Sequence, residues 1–378
     1  MDNLLVHGDN LPALLDLQGT HRGQVRCVYM DPPYNTGQRQ GQGDFAYKDS
    51  RESTAYLDFL GARLKACLPL MAPDGHLFIQ LDDNELDYVK VHLDGLLGRE
   101  QFIARITVDA RAPSAFSTVN KGLFKASEYL LWYCKDRGSF ESFPVRVPRS
   151  PDSAYRMWLD NPQDPPEQWT LSSLAKACPS DEPLERFQVR MAARVARLAS
   201  ISDTKAGRAT LDGKARSKAN PKTVVVVERP GRETQYLLRG QQLLFYGKQV
   251  QEIDGQRTAS RPLTNVWTDI AWEGIAGEGK VRLKGGKKPE RLLRRVLQLS
   301  TRPGDWVLDP FLGSGTCAAV AHKMGRSWIG VEQGPVALLA KERLERVVAG
   351  QDPSGVSRVL NWRGGGSFVY QGLGDSAG

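Results

Sequence analysis

One stretch near the carboxyl end, residues 306–332, restricts the fold of this chain more than any other. An apolar run predicts a strand, and the glycine-rich turn Asp-Pro-Phe-Leu-Gly-Ser-Gly-Thr follows at 309–316. Residues 317–324 then have the composition of a helix, and 328–331 predict a second strand that ends at Glu332. A strand, a glycine turn, a helix and a strand ending in an acid form a βαβ unit, which requires a parallel sheet with crossover helices.

The same turn indicates a ligand. Gly313 and Gly315 let the backbone pass close to a bound molecule, and Glu332 is placed to accept hydrogen bonds from both hydroxyls of a ribose. The turn lacks the third glycine of the dinucleotide fingerprint, and the chain has no Gly-Lys-Ser/Thr phosphate loop. An adenosyl ligand without phosphates therefore fits the pattern best.

A second constellation lies near the amino end. The apolar run 25–30 predicts a buried strand, and Asp31-Pro32-Pro33-Tyr34 follows it directly. Proline cannot donate to a sheet ladder, so the strand stops at its carboxyl end, where open α/β sheets bind ligands. Asp31 and the Pro32 carbonyl can accept hydrogen bonds from an exocyclic amine, and Tyr34 offers a face for a flipped base. These residues suit methylation of an amino group on a nucleobase; a plain proline turn with a helix-capping Asp31 is the alternative.

The middle of the chain carries the positive charge. Residues 186–261 contain sixteen lysines and arginines and six acids, whereas the whole 378-residue chain has a net charge of +8. A solvated basic face is the ordinary alternative, but this concentration favours a polyanionic partner. The spacing predicts a basic helix over 186–199, followed by a charged linker at 202–221. The predicted contacts to a nucleic acid backbone are the arginines on one face of that helix, Arg186, Arg190, Arg194 and Arg197.

The pattern of elements divides the chain. Strand and helix signals alternate over 1–140 and again over 265–370, which is typical of an α/β sheet. Residues 141–264 have crowded prolines and short hairpin-like strands instead, so we expect a separate basic insert there. A polar, glycine-rich stretch at 35–52 predicts a mobile loop beside the site, and 371–378 predict a flexible tail.

Composition limits the class of protein. Apolar residues make up 40% and charged residues 25% of the chain, as in a globular protein, and no run approaches the ~18 apolar residues of a membrane helix. The amino end lacks the basic region and apolar core of a signal peptide. Five cysteines lie scattered without a Cys-x-x-Cys pair, which argues against a zinc site or disulfides and predicts reduced thiols in a cytoplasm.

Both motifs resemble the signatures of the amino-group DNA methyltransferases that use S-adenosylmethionine. The acid-proline turn precedes the glycine turn, with a recognition region between them, and this order resembles the β subgroup, in particular the modification subunits of type III restriction systems. The resemblance covers about 1–140 and 265–370. The stretches with recognisable counterparts in those subunits are 31–37, 79–85, 127–135, 288–290 and 364–370.

This resemblance implies a Rossmann-like seven-stranded sheet with helices on both faces, formed by a catalytic half (1–140) and a cofactor-binding half (265–370) around a target-recognition insert (141–264). It implies direct methyl transfer from S-adenosylmethionine to a flipped base in double-stranded DNA. The residues implied to hold the base are Asp31, Pro32, Pro33 and Tyr34. The residues implied for the cofactor pocket are Asp9, Asp31, Lys288, Pro289, Asp309, Pro310, Phe311, Gly313, Ser314, Gly315, Thr316 and Glu332. Asp9 is equally suited to capping a helix at 11–17.

The resemblance also orders the competing functions. Methylation of cytosine carbon-5 needs a cysteine nucleophile, usually after a proline, and the chain has no Pro-Cys dipeptide. Asp in the first position of the tetrad is typical of adenine-N6 enzymes, so adenine is predicted and cytosine N4 is the alternative. Glutamine and RNA-base methyltransferases usually have Asn first and the opposite motif order. The alternative of a different class is a DNA-recognition subunit that guides a nuclease. The expected partners are double-stranded DNA, a second copy of the chain and a restriction subunit.

Overall fold

The computed structural model describes residues 2–35, 53–110, 123–270, 272, 274–281, 283 and 286–373. The chain divides into two compact units, the first formed by Met1–Val145 with Thr264–Gly378 and the second by Arg146–Leu263. The insert expected at 141–264 thus differs by a few residues from the second unit. Most of the loop predicted at 35–52 lies outside the described residues, as do the last five residues of the predicted tail.

The elements of the amino-terminal part alternate as the sequence predicts. In order they are β1 (Asn3–His7), α1 (Asn10–Leu17), β2 (Val25–Met30), α2 (Ser53–Cys67), β3 (Met71–Leu81), α3 (Leu86–Leu97), β4 (Phe102–Asp109) and β5 (Ser127–Cys134). The strand β2 ends where Asp31 and the two prolines begin. Helix α3 ends before Gly98, which has a φ of 96° that favours glycine.

The second unit consists mainly of short strands. Its elements are β6 (Arg146–Pro148), β7 (Met157–Leu159), β8 (Leu171–Ser173), α4 (Leu174–Ala177), α5 (Leu184–Arg190), β9 (Val195–Ala199), α6 (Arg208–Ala219), β10 (Val225–Val227), β11 (Gln235–Leu238), β12 (Gln241–Phe245), β13 (Val250–Ile253) and β14 (Gln256–Pro262). All residues of this unit are described, and they form a six-stranded sheet in the order β10-β11-β12-β9-β7-β8 and a three-stranded sheet in the order β13-β14-β6.

The carboxyl-terminal part returns to the first unit. Its elements are β15 (Val266–Trp267), α7 (Glu290–Ser300), β16 (Trp306–Asp309), α8 (Thr316–Lys323), β17 (Ser327–Glu332), α9 (Gly334–Val348) and β18 (Phe368–Gly372). The βαβ unit predicted over 306–332 is therefore present as β16, α8 and β17. The strand β18 includes Gln371 and Gly372, so the tail expected from residue 371 begins later.

The strands of the first unit form one mixed sheet in the order β15-β4-β5-β3-β2-β16-β17-β1-β18. Neighbouring strands are parallel except at β5, which is antiparallel to both β3 and β4. The expected count of seven is too low, because the described residues form nine strands. The two-residue β15 extends one edge beside β4, and β18 extends the other edge beside β1.

Helices cover both faces of this sheet. On one face, Leu14 of α1, Leu60 of α2 and Val89 of α3 join Val28 and the other inward residues of the strands in one apolar cluster. Because side chains alternate along a strand, Cys27 points to the opposite face. There α7 buries an apolar stripe against the sheet, and its neighbours α8 and α9 pack beside it. The α/β fold class expected from the sequence is confirmed.

Two predictions within the insert are wrong. The helix predicted over 186–199 ends at Arg190, and 195–199 form β9 between β12 and β7. Pairing on both sides of this segment overrides its helical propensity. The linker predicted at 202–221 contains α6, whose buried face consists of small residues such as Gly213. A Cβ at Gly213 would lie 2.3 Å from the Val227 side chain, so this helix packs closely without the apolar residues that would have revealed it.

Among the described residues, no helix is long and apolar enough to cross a membrane.

Candidate active site

A cavity of about 440 Å³ lies at the edge of the first sheet where β1, β2, β16 and β17 end. Parallel pairing brings these ends together, since His7 pairs with Glu332 and Asp309 with Gly330. The predicted site residues that line this cavity are Asp9, Asp31, Pro32, Pro33, Tyr34, Lys288, Asp309, Pro310, Phe311, Gly313, Ser314, Thr316 and Glu332. The two constellations, far apart in sequence, therefore share one cavity.

Pro289 and Gly315 were also predicted to line the pocket, but neither residue lines the cavity. Pro289 is the residue before the first turn of α7. Gly315 precedes α8 with a φ of 77°, and a Cβ there would face Ala340 of α9 at 3.4 Å. Gly315 therefore allows the turn and the close approach of α9 rather than making room for a ligand.

Asp31 lies directly after β2, and its carboxyl faces the cavity beside Tyr34 and Lys288. The Tyr34 hydroxyl lies 2.9 Å from Asp31 Oδ1, and Lys288 Nζ lies 3.4 Å from the same oxygen. The Lys288 ammonium also lies 4.7 Å from the centre of the Tyr34 ring, within the range of a cation–π contact. The turn is thus held from the side of α7, whose amino end follows Lys288.

The structure adds Glu128 to this turn, a residue that no pattern in the sequence singled out. Glu128 Oε2 lies 3.0 Å from the Tyr34 hydroxyl and accepts a hydrogen bond from Lys288 Nζ at 3.0 Å. It also accepts a hydrogen bond from Gln80 Nε2 at 2.5 Å, and the side-chain oxygen Oε1 of Gln80 accepts one from the Tyr29 hydroxyl. Asp31 is therefore backed by a buried polar network from β2, β3 and β5.

The two carboxyls of this network differ in acidity. Burial raises the pKa of Asp31 to about 6, although the charge of Lys288 opposes it, and the charge of Glu128 raises it further. Burial also acts to raise the pKa of Glu128, but Lys288 and the hydrogen bond from Gln80 outweigh it, so the pKa of Glu128 falls below its usual value. Glu128 is the permanent anion of the pair, and Asp31 titrates close to neutral pH.

The glycine turn positions a second pair of carboxyls. Glu332 Oε2 accepts a hydrogen bond from the Gly313 amide at 2.6 Å, and Oε1 accepts one from the Gln333 amide at 2.9 Å. Asp309 accepts a bond from the Phe311 amide at 3.0 Å, and burial raises the pKa of Asp309 well above its usual value. The turn therefore presents one carboxylate at the end of each strand of the βαβ unit.

Asp9 caps α1, as one of its two predicted roles requires, and its contact with a cofactor stays a prediction. Its Oδ1 accepts a hydrogen bond from the Leu11 amide at 2.8 Å, which caps α1, and the residue also lines the cavity. Arg63 of α2 lies 3.2 Å from the same oxygen, and its guanidinium stacks 3.8 Å from the centre of the Phe59 ring. Arg63 and Phe59 complete the cavity wall, but their helix spacing resembles that of ordinary packing residues.

The charges of the cavity wall favour a cationic ligand. Among the described residues of the wall, the four acids Asp9, Asp31, Asp309 and Glu332 outnumber the two basic residues Arg63 and Lys288. Both basic side chains are paired with carboxylates, Arg63 with Asp9 and Lys288 with Glu128. A phosphate would meet a net negative wall, whereas an ammonium or sulfonium group would be attracted to it.

The four arginines predicted to bind a nucleic acid backbone do not share one helical face. Arg186 is exposed on α5, and Arg190 of the same helix pairs with Glu182 at 2.6 Å. Arg194 lies between α5 and β9, where it donates to the carbonyl oxygens of Leu159 and Asp160. Arg197 belongs to β9 and lies 5.3 Å from the centre of the Tyr155 ring. We therefore retain Arg186 as the leading candidate for a phosphate contact.

Comparison with known proteins agrees with these observations. A sequence profile described as DNA methylase matches residues 25–341. The Haemophilus influenzae protein named probable type III restriction-modification enzyme HindVI Mod subunit is 30% identical over 98% of this chain and 53% of its own length. The type II methyltransferase M.EcaI of Enterobacter cloacae is 25% identical over 96% of this chain and 73% of its own. The crystal structure of M1.HpyAVI covers 90% of this chain and 98% of its own, with 14% identity and a TM-score of 0.44.

The chain spans about half the length of the HindVI Mod subunit that it matches. The matched profile includes both the acid-proline turn and the glycine turn, and the resemblance expected from those motifs is confirmed. Because that profile covers most of the sequence, the chain belongs to the DNA methylase family.

Proposed function

We propose that this chain transfers a methyl group from S-adenosylmethionine to the N6 amine of a flipped adenine in double-stranded DNA. The observation that supports the proposal is the shared cavity, whose wall carries the Asp31–Tyr34 turn and the glycine turn at 309–316. A base-binding turn and an adenosyl-binding turn must face one another for a methyl group to pass directly between their ligands.

The residues present fit S-adenosylmethionine. When bound, this cofactor supplies an electrophilic methyl group on a sulfonium, and it carries an ammonium but no phosphate. Glu332 would accept hydrogen bonds from the ribose hydroxyls, and Phe311 would pack against the adenosyl group. The carboxylates of Asp9, Asp31 and Glu332 would stabilise the two positive charges, whereas a nucleotide phosphate would be repelled by them.

The acid-proline turn supplies the chemistry on the side of the base. The Asp31 carboxylate and the Pro32 carbonyl would accept hydrogen bonds from the target amine and orient the nitrogen lone pair. Because the pKa of Asp31 is about 6, this carboxyl is mostly ionised at neutral pH and can also take up the proton that the methylated amine releases. Tyr34 would stack on the flipped base.

Radiolabelled S-adenosylmethionine with duplex DNA, followed by hydrolysis of the DNA and mass analysis of the nucleosides, tests the proposal. N6-methyladenine is expected, because the tetrad begins with Asp. N4-methylcytosine would support the alternative target. DNA binding without transfer would support the different role of a recognition subunit for a nuclease.

The second unit is the proposed recognition module, and its positive excess supports contacts to phosphates. A restriction subunit is a proposed partner, since the name of the HindVI relative describes a restriction-modification enzyme. A homodimer is a further proposal, and action on cellular DNA would place the protein in the cytoplasm.

Glu332→Ala is expected to weaken S-adenosylmethionine binding at least roughly tenfold, because a hydrogen bond to a charged group contributes about 1.5–3 kcal/mol. The same change removes the acceptor for the Gly313 amide, which holds the glycine turn. Titration calorimetry measures the affinity, and circular dichroism checks the fold. Glu345→Gln, on the exposed surface of α9, is the control. Unchanged affinity in folded Glu332→Ala would place the ribose elsewhere.

Arg186→Gln is expected to weaken binding to all duplex sequences alike and to reduce the slope of affinity against salt concentration by about one. Fluorescence anisotropy with non-specific duplex at several salt concentrations measures this slope. Arg194→Gln is the matched comparison, because Arg194 is engaged by the Leu159 and Asp160 carbonyls and should change stability rather than the slope. An unchanged slope for Arg186→Gln would show that the phosphates lie elsewhere.

A further inference from the structure

Glu128 occupies an unusual position for a strand residue. It lies near the start of β5, and its side chain is 5% exposed. Its carboxylate reaches the back of the acid-proline turn, where Oε2 meets donors from Gln80, Tyr34 and Lys288 within 3.0 Å. A buried carboxylate with these partners is ionised and fixed in place.

Glu128 competes with Asp31 for the Lys288 ammonium. Lys288 Nζ lies 3.0 Å from Glu128 Oε2 and 3.4 Å from Asp31 Oδ1, and all three side chains are at least 86% buried. Two carboxylates thus share one buried ammonium, and the nearer one takes the stronger interaction. Without Glu128, no nearby carboxylate among the described residues would compete with Asp31 for this ammonium or offset its charge there.

Glu128 competes for the Tyr34 hydroxyl as well. This hydroxyl has one proton, and it lies 2.9 Å from Asp31 Oδ1 and 3.0 Å from Glu128 Oε2. Lys288 donates to the hydroxyl oxygen at 2.7 Å, so the Tyr34 proton is directed toward one of the two carboxylates. Without Glu128, both donors would act on Asp31 Oδ1 and weaken that carboxylate as a hydrogen-bond acceptor.

We propose that Glu128 is a positioning residue for methyl transfer, which draws the Lys288 ammonium and the Tyr34 hydroxyl away from Asp31 and so keeps Asp31 a strong acceptor for a hydrogen bond from the target amine. The role rests on the proposed function, since it supposes an amine in front of Asp31. Glu128 itself stays behind the turn and touches Tyr34 and Lys288 rather than the base.

The charges around Asp31 determine how substitutions should act. In the described part of the chain, the titratable groups that face Asp31 are Tyr29, Tyr34, Glu128, Lys288 and Asp309. Glu128→Gln removes a negative charge that offsets the charge of Lys288 at Asp31, and this loss lowers the pKa of Asp31. Lys288→Met removes the positive charge and raises it. The two variants therefore shift the pKa of Asp31 in opposite directions, whereas simple damage to the fold would not produce opposite shifts.

The first measurement is the pH profile of kcat/KM for methyl transfer. Activity of the wild-type protein is expected to fall as the pH drops through about 6, where Asp31 gains a proton. In Glu128→Gln this acid limb should move down by roughly one pH unit or more, and the plateau should fall about tenfold because the Asp31 carboxylate becomes a weaker acceptor and a weaker base. In Lys288→Met the limb should move up. Glu345→Gln, at an exposed pair on α9, should match the wild type.

The second measurement needs no activity. The titration of Asp31 can be followed by carbon-13 NMR of protein labelled at the aspartate carboxyls, with Asp31→Asn identifying the resonance. The pKa of Asp31 should fall in Glu128→Gln and rise in Lys288→Met. If the wild-type enzyme is active and the pKa of Asp31 is unchanged in both variants, or shifts in the same direction in both, the role of Glu128 is overturned. A wild-type protein that methylates no duplex would instead overturn the proposed function.

Discussion

Asp31→Ala is expected to lower the rate of methyl transfer by roughly 10²–10³-fold, while the affinity for S-adenosylmethionine changes only a few-fold. The carboxyl of Asp31 faces the cavity beside Tyr34 and is placed to accept the hydrogen bond that orients the amine. The cofactor affinity depends mainly on the glycine turn and Glu332, which the change leaves intact. Single-turnover transfer of a radiolabelled methyl group measures the rate, and calorimetry measures the affinity.

Loss of stability should not explain this effect. The pKa of Asp31 is raised from 3.8 to about 6 in the folded protein, so the folded state binds the proton of Asp31 more tightly than the unfolded state does. Protonation of Asp31 therefore stabilises the folded protein. This stabilisation is complete below the usual pKa and is lost as the pH rises through about 6. At neutral pH the ionised carboxyl therefore contributes no such stabilisation, and Asp31→Ala should melt close to the wild type. Asp87→Ala, at an exposed pair on α3, is the control. Retention of more than about a tenth of the wild-type rate would contradict the role of Asp31.

Lys323→Met is expected to lower the free energy of unfolding by about 3–5 kcal/mol. Lys323 of α8 donates to Glu290 at 2.8 Å and to Asp352 at 2.7 Å, and these three side chains are no more than 1% exposed. Removal of the ammonium takes away the partner that Glu290 and Asp352 share. Glu290 keeps its ion pair with Arg343. Arg343 also donates to Thr316 at 2.7 Å, so the network supports the glycine turn from behind.

Chemical denaturation of Lys323→Met measures this loss. Lys341→Met removes an exposed pair with Glu345 on α9 and should change the free energy of unfolding by less than about 1 kcal/mol. Glu290 pairs with both Lys323 and Arg343. We therefore expect Lys323→Met to weaken the whole network and to cost more than the loss of one ion pair. A loss below about 1 kcal/mol would show that water replaces the missing ammonium.

Short-range sequence rules were sufficient for both halves of the candidate site. The strand at Val25–Met30 ends because prolines follow it, and the turn before α8 forms because Gly313 and Gly315 adopt positive φ values. These causes act within a few residues, so they are readable in the sequence. The structure places both turns at one sheet edge because β2 and β17 pair in parallel with β16, and parallel strands present their carboxyl ends together.

The same rules failed where distant partners determine the local structure. Residues 195–199 form a strand because β7 and β12 pair with them. The sequence alone favours a helix there, because Arg197 continues the spacing of the arginines that precede it. Helix α6 packs through small residues, since Gly213 lies against Val227, and small residues give no apolar period. Neither cause is visible within the segments themselves.

The tertiary structure alone decided the environment of Asp31. Glu128 reaches it because β5 enters the sheet antiparallel beside β3, and Lys288 reaches it from the segment before α7. Burial raises the pKa of Asp31, the charge of Lys288 opposes this rise and the charge of Glu128 adds to it. These two charges belong to segments about 260 and 100 residues away in the sequence. Electrostatic interactions depend on distance in space and on the exclusion of water, so a motif can name the reacting carboxyl while its charge state is set by the fold.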